Sequence, residues 1–162
     1  MKGVRLFLSL VVLTFLTACG EDEGPTKIHF DRDSCELCRM IISDPKYTAQ
    51  IQGPEGRKHK FDDIGNAIHW LKAMPFADDE TIKIWVADYE ASTRENVVWL
   101  DARKAYYQGG KMSPMDFNFG AYPAKGADMV DFVGMRTAVY AKGNTYWCDP
   151  AAYGYTKEVD GK

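Results

Sequence analysis

The sequence predicts a single α+β domain with a mainly antiparallel sheet, built from two ββαβ-like units. Short β-prone runs come in pairs around Gly/Pro turns, as in Tyr47 to Gln52 and Arg57 to Phe61. A run with clear helical period follows them. The elements are grouped as strand, strand, helix, strand, strand, helix, loop and strand, rather than alternating one strand with one helix.

The first element is a short alternating run, Thr26 to Phe30, which reads as the start of a strand. The hairpin after it turns at Gly53-Pro54-Glu55-Gly56. Asp62 or Asp63 then caps a helix with apolar residues at Ile64, Ala67, Ile68, Leu71 and Met74, one face of a 3.6-residue period, and Pro75 stops it. Ile82, Ile84 and Val86 alternate through a strand from Thr81 to Ala87, and Asn96 to Leu100 reads as its neighbour. Asp101 is expected to cap a short helix through Tyr107, ending at Gly109-Gly110. Lys111 to Gly126 is rich in Gly, Pro and aromatic residues without a period, which marks a functional loop. Met135 to Ala141 and Thr145 to Trp147 bracket Lys142-Gly143-Asn144 as a last hairpin.

The chain opens with Lys2 and Arg5 before an eleven-residue apolar run, Leu6 to Leu16, the n-region and h-region of an export signal. That run is about 17 Å long as a helix, too short for a hydrocarbon core of about 30 Å. Leu16-Thr17-Ala18-Cys19 resembles the lipobox of bacterial lipoproteins. The resemblance implies cleavage after residue 18 and lipid on Cys19, with residues 19–25 as an acidic tether and the domain spanning 26–158. It places the domain in the periplasm or cell envelope, anchored to a membrane. Gly20 after the cysteine favours the outer over the inner membrane.

Removing residues 1–18 from the 162 leaves 144, the size of one domain, with 18 basic against 23 acidic residues and a formal charge of −5. This acidic balance argues against nucleic acid and offers no polybasic patch for lipid headgroups. With Cys19 lipidated, Cys35, Cys38 and Cys148 remain. An odd count in an oxidising compartment leaves at least one thiol free, metal-bound or intermolecular.

Cys35-Glu36-Leu37-Cys38-Arg39-Met40 puts two thiols and a thioether in six residues. Such soft donors select Cu(I) over hard cations and over Zn(II). Cys38 and Met40 project to one side only if the chain is extended between them, with Cys35 reaching back over a turn. Cys35-x-x-Cys38 also reads as a redox motif or as a structural disulfide. A redox active site should open a helix, and Ser43-Asp44-Pro45 leaves no room for a long one.

In order between residues 35 and 115 come Cys35-x-x-Cys38-x-Met40, Ser43-Asp44-Pro45, Ala49-Gln50-Ile51, Phe61-Asp62-Asp63-Ile64-Gly65 with Trp70-Leu71, Trp99-Leu100-Asp101-Ala102-Arg103, and Ser113-Pro114-Met115. Together they resemble the NosL family. The resemblance implies a periplasmic lipoprotein of two ββαβ-type units, similar to part of the organomercurial lyase, that binds Cu(I) and supplies copper to nitrous oxide reductase. No enzymatic step is required of it. The copper ion, a client cuproenzyme, other copper carriers and the membrane are its implied partners. The family's Cys-x-Met pair falls on Cys38 and Met40, its Pro-Met methionine on Met115, and its first cysteine on Cys35. Two departures stand out: Arg39 lies between Cys38 and Met40 where the family usually carries Gly, and Asp116-Phe117-Asn118-Phe119 replaces a Gly-rich continuation. The alternative function is a lipid-anchored thiol-disulfide oxidoreductase using Cys35 and Cys38.

The remaining candidates have simpler explanations. His69 flanks the helix stripe and reads as packing, while His59 between Lys58 and Lys60 reads as exposed. His29 is near enough in sequence to the cysteines to be an extra ligand. Met112 is a reserve for Met115, whereas Met129 and Met135 read as core. Helix capping accounts for Asp62 and Asp63 better than acid/base chemistry. Cys148 reads as buried or as a late disulfide partner of Cys35.

Overall fold

The computed structural model describes residues 24–143. The signal segment, Cys19, Cys148 and the expected strand at Thr145 to Trp147 lie outside the described residues.

The first unit is a four-stranded antiparallel sheet, β1 (Ala49–Gln52), β2 (Lys58–Phe61), β3 (Lys83–Ala87) and β4 (Trp99–Asp101), in the order β2-β1-β3-β4. Ala49 pairs with both Phe61 and Val86, which aligns apolar residues across three strands, and Ile51 pairs with His59 on one side and Ile84 on the other. Helix α1 (Ile64–Ala73) follows β2 and packs on β1 and β2. Every residue from Ile64 to Leu71 is buried, because one face meets the sheet and the other meets the second unit.

The second unit has a three-stranded antiparallel sheet in the order β6-β5-β7, from β5 (Tyr106–Gln108), β6 (Gly120–Tyr122) and β7 (Met129–Val130), followed by α2 (Phe132–Lys142). A parallel bridge between Asp88 and Ala121 joins the two sheets, and α2 packs on α1. Two antiparallel sheets and two helices thus make an α+β fold of two ββαβ-like units. Among the described residues no helix is long and apolar enough to cross a membrane.

Three elements differ from the expectation. Thr26 to Phe30 forms no strand. The amide of buried Gln50 instead takes the bonds of a ladder: Thr26 N and Oγ1 donate to its Oε1 at 2.9 and 3.2 Å, and its Nε2 donates to Thr26 O at 2.6 Å. Residues 101–107 are a single turn and a strand rather than a helix. Asp101 caps the turn, accepting from Arg103 N, but the chain then extends into β5, where Tyr107 is fully buried and its hydroxyl donates to Ala102 O at 2.7 Å. Met135 to Ala141 lies inside α2 rather than in a strand. Phe132, Met135 and Val139 are its buried residues at helical spacing, Asp131 caps its start, and Gly143 at φ 76° ends it.

The loop between β5 and β6 reaches across to α1. Phe117 packs on Gly65 so closely that a Cβ at Gly65 would lie within the ring. Gly65→Ala is therefore expected to lower unfolding free energy in urea by about 1–3 kcal/mol, the usual cost of overpacking a filled core; no change would mean that Phe117 does not seat there.

Candidate metal centre

The segment from Asp31 to Ile42 is a tight excursion closed by backbone bonds Asp31 N to Ile42 O and Ile42 N to Asp33 O, both 2.9 Å, and by the Ser34–Ile41 bridge. Leu37 and Ile42 are fully buried and pull it onto the core. Glu36 N donates to Lys60 O at 2.8 Å, which fastens the turn to β2, and the Lys60–Asp33 ion pair at 2.6 Å closes its other side.

Within this excursion the chain turns from Cys35 to Met40. Arg39 N donates to Cys35 O at 3.0 Å and Cys35 N to Met40 O at 2.8 Å. Cys35 and Cys38 are buried and are not joined in a disulfide. Cys38 Sγ donates to Asp62 Oδ2 at 3.4 Å, and Asn66 Nδ2, one turn into α1, donates to Asp62 Oδ1 at 2.8 Å and Cys35 Sγ at 3.6 Å. The ligating atoms of Cys35, Cys38 and Asp62 all lie within 4.8 Å of one another.

Asp62 was missed from the sequence because one capping residue is enough for a helix. Asp63 is that cap, accepting from Gly65 N at 2.9 Å. Its other oxygen accepts from Ser113 Oγ and, at 3.3 Å, from Met115 N. The adjacent carboxylates therefore divide the work, one toward the thiols and the other toward the Ser113-Pro114-Met115 loop. Met115 is buried at 8% exposure. Further bonds tie the loop to itself, Asn118 N to Ser113 Oγ at 2.8 Å and Ser113 N to Asn118 Oδ1 at 3.2 Å, and Lys142 pairs with Asp116 at 2.6 Å.

Met40 is placed differently from the expectation. Arg39 has φ 63°, so the chain is not extended from Cys38 to Met40, and Met40 is 53% exposed at the edge of the turn. Both departures from the NosL pattern fall on left-handed backbone: Arg39, and Asp116 and Asn118 at φ 61° and 66°. Asp and Asn tolerate that conformation best among residues other than glycine, whereas an arginine is strained there. Met112 is 91% exposed. His29 is outward, its side chain 53% exposed beside Asp33. His69 packs against Phe117 and Tyr140, and burial lowers its pKa. His59 is not exposed as expected: its side chain is 12% accessible and stacks on Trp70.

The geometry suits holding a soft ion better than attacking a disulfide. A redox cysteine presents an accessible thiolate at a helix N-terminus. Cys35 is fully buried, Cys38 is 7% exposed, and the turn that carries them opens no helix.

Two outcomes follow from the backbone and from Asp63. Arg39→Gly relieves the left-handed strain and gives up a long, half-exposed ion pair with Glu36, so stability in urea should hold or rise by up to about 1 kcal/mol. A clear loss would show that Arg39 contributes more than it strains. Burial raises the Asp63 pKa to about 6, more than its hydrogen bonds and cap lower it. A carboxyl raised in the folded state favours folding while protonated. Its contribution is full below the unfolded value near 4 and is lost as pH rises through about 6, a span of roughly 2–3 kcal/mol. Urea midpoints should therefore fall between about pH 4 and 6 in the metal-free chain and flatten in Asp63→Asn; the same slope in both would assign it elsewhere.

No curated protein gives a significant match to this sequence. The NosL family profile matches residues 25–138, which include the whole thiol cluster, the Asp62–Asp63 pair and the methionine loop. That match covers well over half of the chain, and the protein belongs to the NosL family.

Proposed function

We propose that the protein binds a single Cu(I) ion at Cys35 and Cys38 in the cell envelope and hands it to a cuproenzyme, with Met115 and Met40 supplying thioether donors. The observation that carries this reading is the cluster of two reduced thiols and a carboxylate within 4.8 Å, buried beside the loop that holds Met115. Two sulfurs at this spacing meet the preference of a soft monovalent ion, and a buried, low-coordinate site keeps water and harder cations out.

Asp62 has a part in loading. A thiol binds metal as thiolate, so its proton must leave as the ion arrives. Asp62 Oδ2 already accepts the Cys38 S–H and gives that proton a first acceptor. Asn66 holds the other Asp62 oxygen and keeps the carboxylate aimed at the thiols. Met40, at the exposed edge of the turn, is suited to be the donor that an incoming client displaces first, and Met115 on the tied loop to be the one that stays. Only binding and release are needed.

Lipid on Cys19 would confine this exchange to a membrane surface facing the periplasm, with the outer membrane favoured. Nitrous oxide reductase is the client implied by the family, and other copper carriers are the implied donors. Lipid attachment is testable by mass spectrometry of the mature chain.

The decisive measurement is anaerobic Cu(I) titration of the whole chain in detergent against a chromophoric chelator. Cys38→Ser and Cys35→Ser should each weaken binding by roughly 100-fold or more, and Met115→Leu by about tenfold, since each removes one soft donor from a low-coordinate site. Met40→Leu should chiefly speed transfer of copper to the chelator. Unaltered affinity and transfer rate in both methionine variants would remove the thioethers from the site, and unaltered affinity in both cysteine variants would remove the site itself.

A further inference from the structure

Asn66 is fully buried in the first turn of α1, three residues after the Asp63 cap. Its side-chain amide has two N–H donors and one carbonyl acceptor. Nδ2 donates to Asp62 Oδ1 at 2.8 Å and to Cys35 Sγ at 3.6 Å. The reverse orientation would bring the amide oxygen to 2.8 Å from a carboxylate oxygen, acceptor against acceptor, so the nitrogen belongs on this side. The carbonyl is left over. Asn66 Oδ1 is buried with no hydrogen-bond partner among the described residues.

A buried acceptor without a partner is uncommon in a folded chain, and each one calls for a reason. Here the amide sits where both of its protons face the thiol cluster, at the expense of its own oxygen. The cluster has a need that such protons meet. Two thiolates around a monovalent ion leave an excess of negative charge, the Asp62 carboxylate adds to it, and burial makes that excess costly. A lysine or arginine at this place would supply protons together with a positive charge that repels the incoming ion. A neutral amide supplies the hydrogen bonds alone.

We infer that Asn66 is a positioning residue of the metal site, whose amide keeps an N–H···S bond to the Cys35 thiolate while the ion is bound and a second bond to Asp62. The inference rests on the Cu(I) reading of the thiol cluster and adds to it a residue that touches no metal. A hydrogen bond to a metal-bound sulfur holds its lone pairs in one direction and draws electron density from it, which is how groups around a ligand tune a site. Asn66 thereby sets both the aim of Cys35 and its strength as a donor.

The test loads the whole chain in detergent with Cu(I) under anaerobic conditions and reads two signals, the thiolate-to-copper charge-transfer absorption and the side-chain amide protons of Asn66. In the wild-type chain an Asn66 amide proton should move downfield on loading, as its acceptor changes from thiol to thiolate. Asn66→Leu keeps the branched shape without the amide. It should move the absorption to longer wavelength and weaken binding roughly tenfold, the lower end of what losing a hydrogen bond to a metal ligand costs. In the Cys38→Ser chain the same substitution should still move the absorption, and in the Cys35→Ser chain it should not. Weaker binding with an unmoved absorption would make the role merely structural and overturn the inference, as would wild-type amide protons that stay in place on loading. The second measurement needs no variant and decides the matter if Asn66→Leu does not fold. Absence of the charge-transfer absorption from the wild-type chain would overturn the Cu(I) reading itself, and this inference with it.

Discussion

The first turn of α1 is where this structure is held together. Asp62 and Asp63 are 2% and 0% exposed, side by side, at a place where burying even one carboxylate is costly. The helix start makes it possible. Free backbone N–H groups and the positive end of the helix dipole stabilise negative charge there, and each carboxylate also receives side-chain donors from a different part of the chain. Those donors come from the cysteine turn and α1 on one side and from the methionine loop on the other. Segments 77 residues apart in sequence, at Cys38 and Met115, are thereby fastened to neighbouring residues.

This arrangement joins stability to function. The Asp63 carboxyl is raised by burial and by the charge of Asp62, so the first turn stores unfavourable electrostatic energy at neutral pH. A cation entering between the thiols and Asp62 would offset part of that repulsion, and the loss of the thiol proton would accompany it. Close packing does the rest. Gly65 admits Phe117 against the helix, so the loop is held by shape as well as by hydrogen bonds. The backbone departures at Arg39, Asp116 and Asn118 show that left-handed geometry in both loops is kept even where glycine is absent.

The soft donors are graded in exposure. Cys35 is sealed, Cys38 and Met115 are nearly so, and Met40 and Met112 stand in solvent. In the proposed carrier role such a gradient would help, since tight binding needs exclusion of water while exchange needs a donor that a partner can reach.

Much of this was legible in the sequence. The Cys35-x-x-Cys38 pair marked the two thiols of the cluster through residue type, and the hairpin and α1 followed from period, turn residues and caps, because those signals are local. Local signals also misled where two conformations satisfy them equally. Asp101 caps a turn as readily as a helix, and Met135 to Ala141 is short enough to read as strand until Asp131 and Gly143 are seen to bracket a helix. Only the tertiary structure could decide the roles of Asp62 and His59. Both are defined by partners distant in the chain or by burial: Asp62 by Cys38, twenty-four residues earlier, and His59 by the Trp70 ring that covers it. The composition of a site is written in its residues, but which side of a helix start faces a thiol is a property of packing, and no spacing rule along the chain contains it.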